Sequence, residues 1–372
     1  MTSAGRVTSL VSRLSARGWK GAVIVTALAI VGLLESCATE PASQLGMLQP
    51  AADARVWPGA PETARYIHVT TLEGEQNFEI DRRPSAMAKR VAKWVVGLVV
   101  GDVPPRQLQR PVSGFTDRAG RVFVVDASLR AVVVFDLARG EVDIWKDATE
   151  LEGFGAPIGI APDGKGGVLV TDAELGSVFH LDRAGDPIGR FGQDDLERPT
   201  GIARDPTTGT IYIADTVAHD IKLFDDQGKF LRSIGERGVE EGAFNYPTHL
   251  SFADDRLYVS DSLNFRIQVL NASGEAEQSF GETGLYLGNM VRPKGVAVGG
   301  DGRVYVAESY HDHLLIYDQD GRFLLPIGGA GKGVGQFYQP SGIWTDRQRR
   351  VYVADMYNGR VVVFRELTGL AE

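Results

Sequence analysis

The sequence predicts an all-β protein closed into a ring of six sheets, and three observations carry that prediction. A proline opens six similar stretches, at Pro111, Pro157, Pro199, Pro247, Pro293 and Pro340, with a small residue two positions on in five of them. Each stretch continues through a short apolar run and a turn to a second apolar run that ends in an acid: Asp126, Asp172, Asp215, Asp261, Glu308 and Asp355. The acids advance by 46, 43, 46, 47 and 47 residues, which is the length of one four-stranded propeller blade. Six such copies give a six-bladed β-propeller over residues 108–367. Because a repeated residue serves the scaffold first, function is sought where the copies differ.

The chain begins with a basic stretch (Arg6, Arg13, Arg17, Lys20), an uncharged apolar run from Gly21 to Leu34, and then the only cysteine, Cys37. The apolar run is shorter than the roughly 17–25 residues of a bilayer-spanning helix and fits the h-region of a signal peptide. Leu34-Glu35-Ser36-Cys37 resembles a bacterial lipobox, with Cys37 the residue to be lipidated; Glu35 departs from the usual small uncharged residue. A signal peptide cleaved elsewhere and an uncleaved anchor are the other readings of this segment. With the lipobox, residues 1–36 are a lipoprotein signal peptide, and Ala38 is compatible with sorting to an outer membrane, so the expected location is the bacterial cell envelope. Residues 37–61, rich in Pro, Ala, Gln and Gly, read as a flexible tether.

Residues 62–107 are expected to hold a closing strand and a helix. The last repeat lacks a fourth strand, which would leave an exposed edge where the ring must close. Ala64-Arg-Tyr-Ile-His-Val-Thr-Thr71 has strand composition and is expected to pair with the third strand of the last blade. Between it and the first blade, Val91, Trp94, Val95, Leu98 and Val99 recur at helical spacing, with Lys89, Arg90 and Lys93 elsewhere, giving a short amphipathic helix. It either packs on the ring or is an exposed docking or membrane-interface helix.

Within each repeat, polar and apolar residues alternate over short runs such as Arg121-Val-Phe-Val-Val-Asp126, Thr210-Ile-Tyr-Ile-Ala-Asp215 and Arg350-Val-Tyr-Val-Ala-Asp355, bounded by Gly and Asp turn signals. Four strands per repeat follow: A from the proline, B ending at the acid, C, and D. Antiparallel order places the prolines and the acids on one face, around one mouth of the central channel.

The string Arg198-Pro-Thr-Gly-Ile-Ala, followed by Ile211-Tyr-Ile-Ala-Asp215 and Ile221-Lys-Leu-Phe-Asp225, resembles an NHL repeat. The repeats beginning at Tyr246, Arg292 and Gln339 resemble it closely; those beginning at Arg110 and Ala156 match less well. The resemblance covers about two-thirds of the chain and implies a six-bladed propeller. As a whole, the chain is similar to bacterial NHL-repeat lipoproteins of unassigned activity. NHL rings host protein-binding, RNA-binding, sensor and lyase functions, so the resemblance supplies no reaction.

Charge narrows the choice. The chain has 48 acidic and 39 basic residues, a formal net charge of −9, whereas sequence-independent nucleic-acid binding needs a basic stripe. No nucleic-acid partner is expected. The repeated acids read as structural, accepting backbone N–H groups in the turn that follows, with Asn264, Asn358, Arg266 and Arg360 serving the same turns.

Two positions after the proline the repeats carry Ser113, Gly159, Gly201, His249, Gly295 and Gly342, so one blade places an imidazole at the mouth. The next blade carries Lys294 and reads Glu308-Ser-Tyr-His-Asp-His313. The candidate ligand-binding residues are therefore His249, Lys294, Glu308, Tyr310, His311 and His313. Imidazoles beside a carboxylate suit zinc, so His249, Glu308, His311 and His313 are the candidates for a divalent metal. In the peptidylglycine amidating lyase, an NHL-like propeller, a histidine directly follows the proline; here that position holds Val112, Ile158, Thr200, Thr248, Lys294 and Ser341. The Gly328–Gly335 stretch lacks a Walker-type ending, and no serine elbow is present. No catalytic residue and no cofactor is assigned.

The expected function is a membrane-tethered extracytoplasmic binding or scaffold module that engages an envelope protein or another extracytoplasmic ligand. The alternative is a metal-dependent lyase or hydrolase at the channel mouth. A purely structural part of an envelope assembly is the third reading.

Overall fold

A computed structural model describes residues 48–78 and 106–367. The segment that precedes the ring contributes β1 (Val56–Trp57) and β2 (Tyr66–Leu72). Blade one is β3 (Pro111–Thr116), β4 (Arg121–Asp126), β5 (Ala131–Asp136) and β6 (Glu141–Trp145). Blade two is β7 (Pro157–Pro162), β8 (Val168–Asp172), β9 (Ser177–Leu181) and β10 (Pro187–Phe191). Blade three is β11 (Pro199–Arg204), β12 (Ile211–Asp215), β13 (Asp220–Phe224) and β14 (Phe230–Ile234). Blade four is β15 (Pro247–Ala253), β16 (Arg256–Asp261), β17 (Arg266–Asn271) and β18 (Ala276–Phe280). Blade five is β19 (Pro293–Val298), β20 (Val304–Glu308), β21 (His313–Tyr317) and β22 (Phe323–Gly328). Blade six is β23 (Pro340–Thr345), β24 (Arg350–Asp355) and β25 (Arg360–Glu366).

Each of the first five blades is a four-stranded antiparallel meander in sequence order. The innermost strands β3, β7, β11, β15, β19 and β23 touch their neighbours in turn, and β23 touches β3, so the ring is closed. Every expected strand A begins at its proline and every strand B ends at its acid.

Strands B and C read as almost unbroken apolar runs because both faces of a blade are covered by its neighbours. The core consequently lies between blades. Phe123, Val132 and Phe179 join blades one and two; Ile213, Phe224 and Val178 join two and three. Tyr305, Leu314 and Phe364 belong to the seam of blades five and six. At the last junction, the Trp344 ring stacks on Tyr352 at 5.3 Å and its Nε1 donates to Thr116 Oγ1 of blade one at 3.1 Å.

Closure of the sheet is as expected. Strand β2 pairs antiparallel with β25, from Tyr66 opposite Glu366 to Leu72 opposite Val361, and supplies the missing fourth strand. The strand begins two residues later than Ala64 and runs one residue past Thr71. A fifth strand, β1, lies outside it.

That outer strand corrects the extent of the tether. The flexible segment expected over 37–61 includes its residues, yet Leu48 and Trp57 are buried. The Trp57 ring meets Phe364 edge-on at 5.3 Å, and Gln49 accepts a bond from Arg365 at 3.2 Å. Burial of a large ring outweighs a Pro- and Ala-rich composition here. The signal peptide (1–36), Cys37 and the amphipathic helix lie outside the described residues.

Candidate functional site at the mouth of the ring

The mouth is assembled by the repeated acids. All six carboxylates are fully buried, and each accepts backbone N–H groups from the residues that precede its own blade's proline. Asp126 holds Gln109 at 2.6 Å and Arg110 at 2.9 Å; Asp215 holds Glu197 and Arg198, both at 2.8 Å; Glu308 holds Arg292 at 2.6 Å. The other end of the clamp is the turn after strand B, where Ser128 and Leu129 donate to Asp126 at 3.0 Å. The acids are thus fixtures that set the rim of the channel.

In blades four and six the clamp is shared with the preceding blade. Asn245 donates to Asp261 at 2.6 Å and Tyr338 to Asp355 at 2.7 Å. The next N–H groups turn away, Tyr246 to His219 Nδ1 at 3.2 Å and Gln339 to Asp312 at 2.6 Å. Asp261 and Asp355 instead pair with Arg266 at 2.9 Å and Arg360 at 2.7 Å, and accept from Asn264 and Asn358 at 2.8 Å. Burial raises the Asp355 carboxyl above the usual range, against the opposing hydrogen bonds and the Arg360 charge.

The small residues after the prolines have a steric reason. A Cβ on Gly201 would lie 2.6 Å from the Thr248 carbonyl oxygen and 2.8 Å from the His249 Cα; on Gly342 it would lie 2.5 Å from the Val112 carbonyl. Each inner strand presses its glycine onto the backbone of the next. Blade four escapes this rule and carries His249.

Within the rim is a cavity of about 440 Å3 whose lining comes from all six blades. His249 sits on it near the Val112 backbone of the opposite blade, its Nδ1 3.2 Å from Thr248 Oγ1 and its buried Nε2 without a hydrogen-bond partner. Burial, reinforced by the Lys294 charge, pulls the imidazole pKa down to about 3, so the ring is neutral across the physiological range. Lys294 also lines the cavity, and burial together with Arg292 and Arg198 holds its ammonium pKa below the usual lysine value.

Three arginines that the sequence reading passed over complete the lining: Arg110, Arg198 and Arg292. They occupy the position just before the proline, which reads Arg110, Ala156, Arg198, Tyr246, Arg292 and Gln339 around the ring. The signal was an alternation between odd and even blades. No lining residue is acidic.

Of the six expected site residues, the structure brings only His249 and Lys294 to the cavity. Glu308 is buried and occupied by the N–H groups of Val291, Arg292, Tyr310 and His311. His311 Nδ1 lies 2.9 Å from that same carboxylate, and Tyr310 stands outside, 57% exposed, with its ring edge-on to His311 at 5.0 Å. His313 opens β21, its buried Nδ1 without a partner. None of these four lines the cavity. Among the described residues no three His, Cys, Asp or Glu side chains are grouped to hold a metal ion, so His249, Glu308, His311 and His313 do not form one ligand set.

The family described as 6-bladed beta-propeller matches residues 292–370. Protein brain tumor of Drosophila melanogaster is 30% identical over 119 residues, covering 31% of this chain and 11% of that protein. Peptidyl-glycine alpha-amidating monooxygenase A of Xenopus laevis is 33% identical over 135 residues, 32% of this chain and 14% of that one. The chain therefore spans a small part of either relative. An auxiliary nutrient binding protein from Bacteroides ovatus superposes with a TM-score of 0.54 at 16% identity, over 70% of each chain.

Proposed function

We propose that this six-bladed β-propeller of NHL type is a non-enzymatic binding module, tethered to the cell envelope through a lipid on Cys37, that takes an extracytoplasmic ligand at the mouth of its ring. The observation that carries the reading is the mouth cavity, to which every blade contributes. Its volume falls in the range of small-molecule sites. The likeness to the nutrient binding protein lends the fold a precedent for binding and no more.

The chemistry of the cavity weighs against the lyase or hydrolase. A general base works best with a pKa near the operating pH, and His249 is held near 3. Thr248 Oγ1 is its hydrogen-bond neighbour and bonds in turn to Ser262 Oγ at 2.7 Å; no carboxylate orients the imidazole, as a nucleophile-activating relay requires. Glu308, the expected carboxylate partner, is occupied by backbone.

The test is a thermal-shift survey of the detergent-solubilised full chain against sugars, peptides and organic acids, paired with Val217→Trp. Val217 lines the cavity and is 41% exposed, so an indole there fills space without disturbing the core. The expected outcome is a compound that raises the melting temperature of the native protein and loses that effect in the variant. Turnover of any such compound that disappears in His249→Ala would overturn the non-enzymatic reading.

A further inference from the structure

We propose that the mouth cavity takes a small polyanion, a compound with two or more carboxylate or phosphate groups set to meet cations on alternate blades. This rests on the reading of the mouth as the binding site. Arg110, Arg198 and Arg292 hold the same repeat position in blades one, three and five, so six-fold order places them a third of a turn apart around one opening. Lys294, two residues beyond Arg292, adds a fourth cation.

What sets these four groups apart is that they gather around one cavity with no acid in its lining. Several cations elsewhere in the ring do have carboxylates, among them Arg121 with Asp117 at 2.8 Å, Lys222 with Asp220 at 2.7 Å and Arg350 with Asp346 at 2.6 Å. None of the four side chains at the mouth makes an ion pair or a hydrogen bond to any described residue, and no acid lines their cavity. Arg110, Arg198 and Arg292 are exposed and Lys294 is half-buried; like charges gathered at one opening repel one another, and no carboxylate in the cavity lining offsets them. An anion supplies what is missing. His249 adds a neutral polar ring to the same lining, its Nε2 buried beside the Val112 backbone.

The arginines are also positioned in advance. Their backbone N–H groups are fixed to the buried Asp126, Asp215 and Glu308 at 2.9, 2.8 and 2.6 Å. Each planar fork therefore springs from a rigid point, which suits bidentate capture of carboxylate or phosphate. The surroundings select for size. The loops between blades on this face carry exposed Glu150, Glu152, Asp194, Asp195, Glu240 and Glu241, an acidic surround that repels an extended phosphate polymer and leaves the basic centre to a compact solute.

Calorimetric titration of the full chain in detergent decides the matter, with citrate and pyrophosphate as probes, acetate as the single-charge control and glucose as the neutral one. Saturable binding of citrate or pyrophosphate is expected, weakened roughly tenfold or more by Arg198→Ala and by Lys294→Met, with acetate and glucose silent. Whichever probe binds distinguishes a carboxylate from a phosphate ligand. Arg198 is exposed and Lys294 half-buried, and an unchanged melting temperature certifies folding. Polyanion binding that both variants retain unweakened would overturn the proposal. A neutral compound lost in Val217→Trp but untouched by Lys294→Met would overturn the polyanion class while leaving the binding module standing. No compound sensitive to Val217→Trp would remove both.

Discussion

His249 shows how one substitution in a repeat changes the chemistry of a site. Where the other blades have glycine or serine, it inserts a ring into the channel, surrounded by the Lys294 ammonium, the Val112 backbone and Thr248. It was legible in the sequence because it broke a six-fold pattern. The arginines were not, because a residue that recurs in alternate blades breaks no pattern and looks like ordinary rim charge. Glu308 and its neighbours were misread for the opposite reason: the one blade with Glu in place of Asp looked specialised, but its longer arm reaches the same backbone N–H groups as the aspartates do. The state of His249 has a measurable consequence. Its pKa is about 3 when folded against an ordinary 6.5, so between those limits the unfolded chain binds the extra proton and stability rises with pH. The contribution is complete above pH 6.5 and is lost on acidification towards 3. Moving from pH 7 to 5 should cost the native protein about 1–2 kcal/mol more than it costs His249→Asn, read from urea midpoints at both pH values. Parallel losses in the two proteins would show that the imidazole is not held neutral by the fold.

At the scale of the element, strand composition and period located all six blades and the closing strand, since these features repeat or complete a repeat. Strand β1 escaped because two residues carry no periodicity, and because what holds it is tertiary: Trp57 lies against Phe364, and a Cβ on Gly335 would lie 2.1 Å from the Trp57 ring. The closing strand makes a stronger claim on the whole. Strand β2 covers the edge of β25 and brings Tyr66 to the seam with blade five, where its hydroxyl lies 3.2 Å from that of Tyr305. Burial raises both phenols, Tyr305 and Tyr66, above the usual tyrosine range. Removing residues 62–72 would expose a full strand edge and a valine-rich face together. The expected result is a lower denaturant midpoint for the entire ring, in one transition, by both tryptophan fluorescence and far-UV circular dichroism. An unchanged midpoint would mean that β2 decorates a ring that is closed without it.

The whole molecule combines a net charge of −9 with a basic opening, a polarity that leaves the outer surface repelling polymers of phosphate while the centre attracts small anions. What the ring can reach then depends on where it is held. If Cys37 carries the lipid, the chain is first engaged by the ring no later than Leu48, which is buried. The residues between, 38–47, can extend at most about 35 Å at roughly 3.5 Å each. A tether running through all of 37–61 would allow more than twice that. Such a leash would hold the propeller close to the bilayer, and the ligand it takes would be one that passes near the membrane surface. Attachment through more than one acyl chain makes such anchoring stable, whereas one chain alone gives marginal binding. In a bacterial host, the native chain is expected to incorporate labelled palmitate and to sediment with membranes at high salt, which strips proteins held by charge alone. Cys37→Ser should lose the label and leave the membrane fraction while keeping the same melting temperature. Label that survives the substitution, or a variant that still sediments, would place the attachment elsewhere in the chain and release the ring from this distance limit.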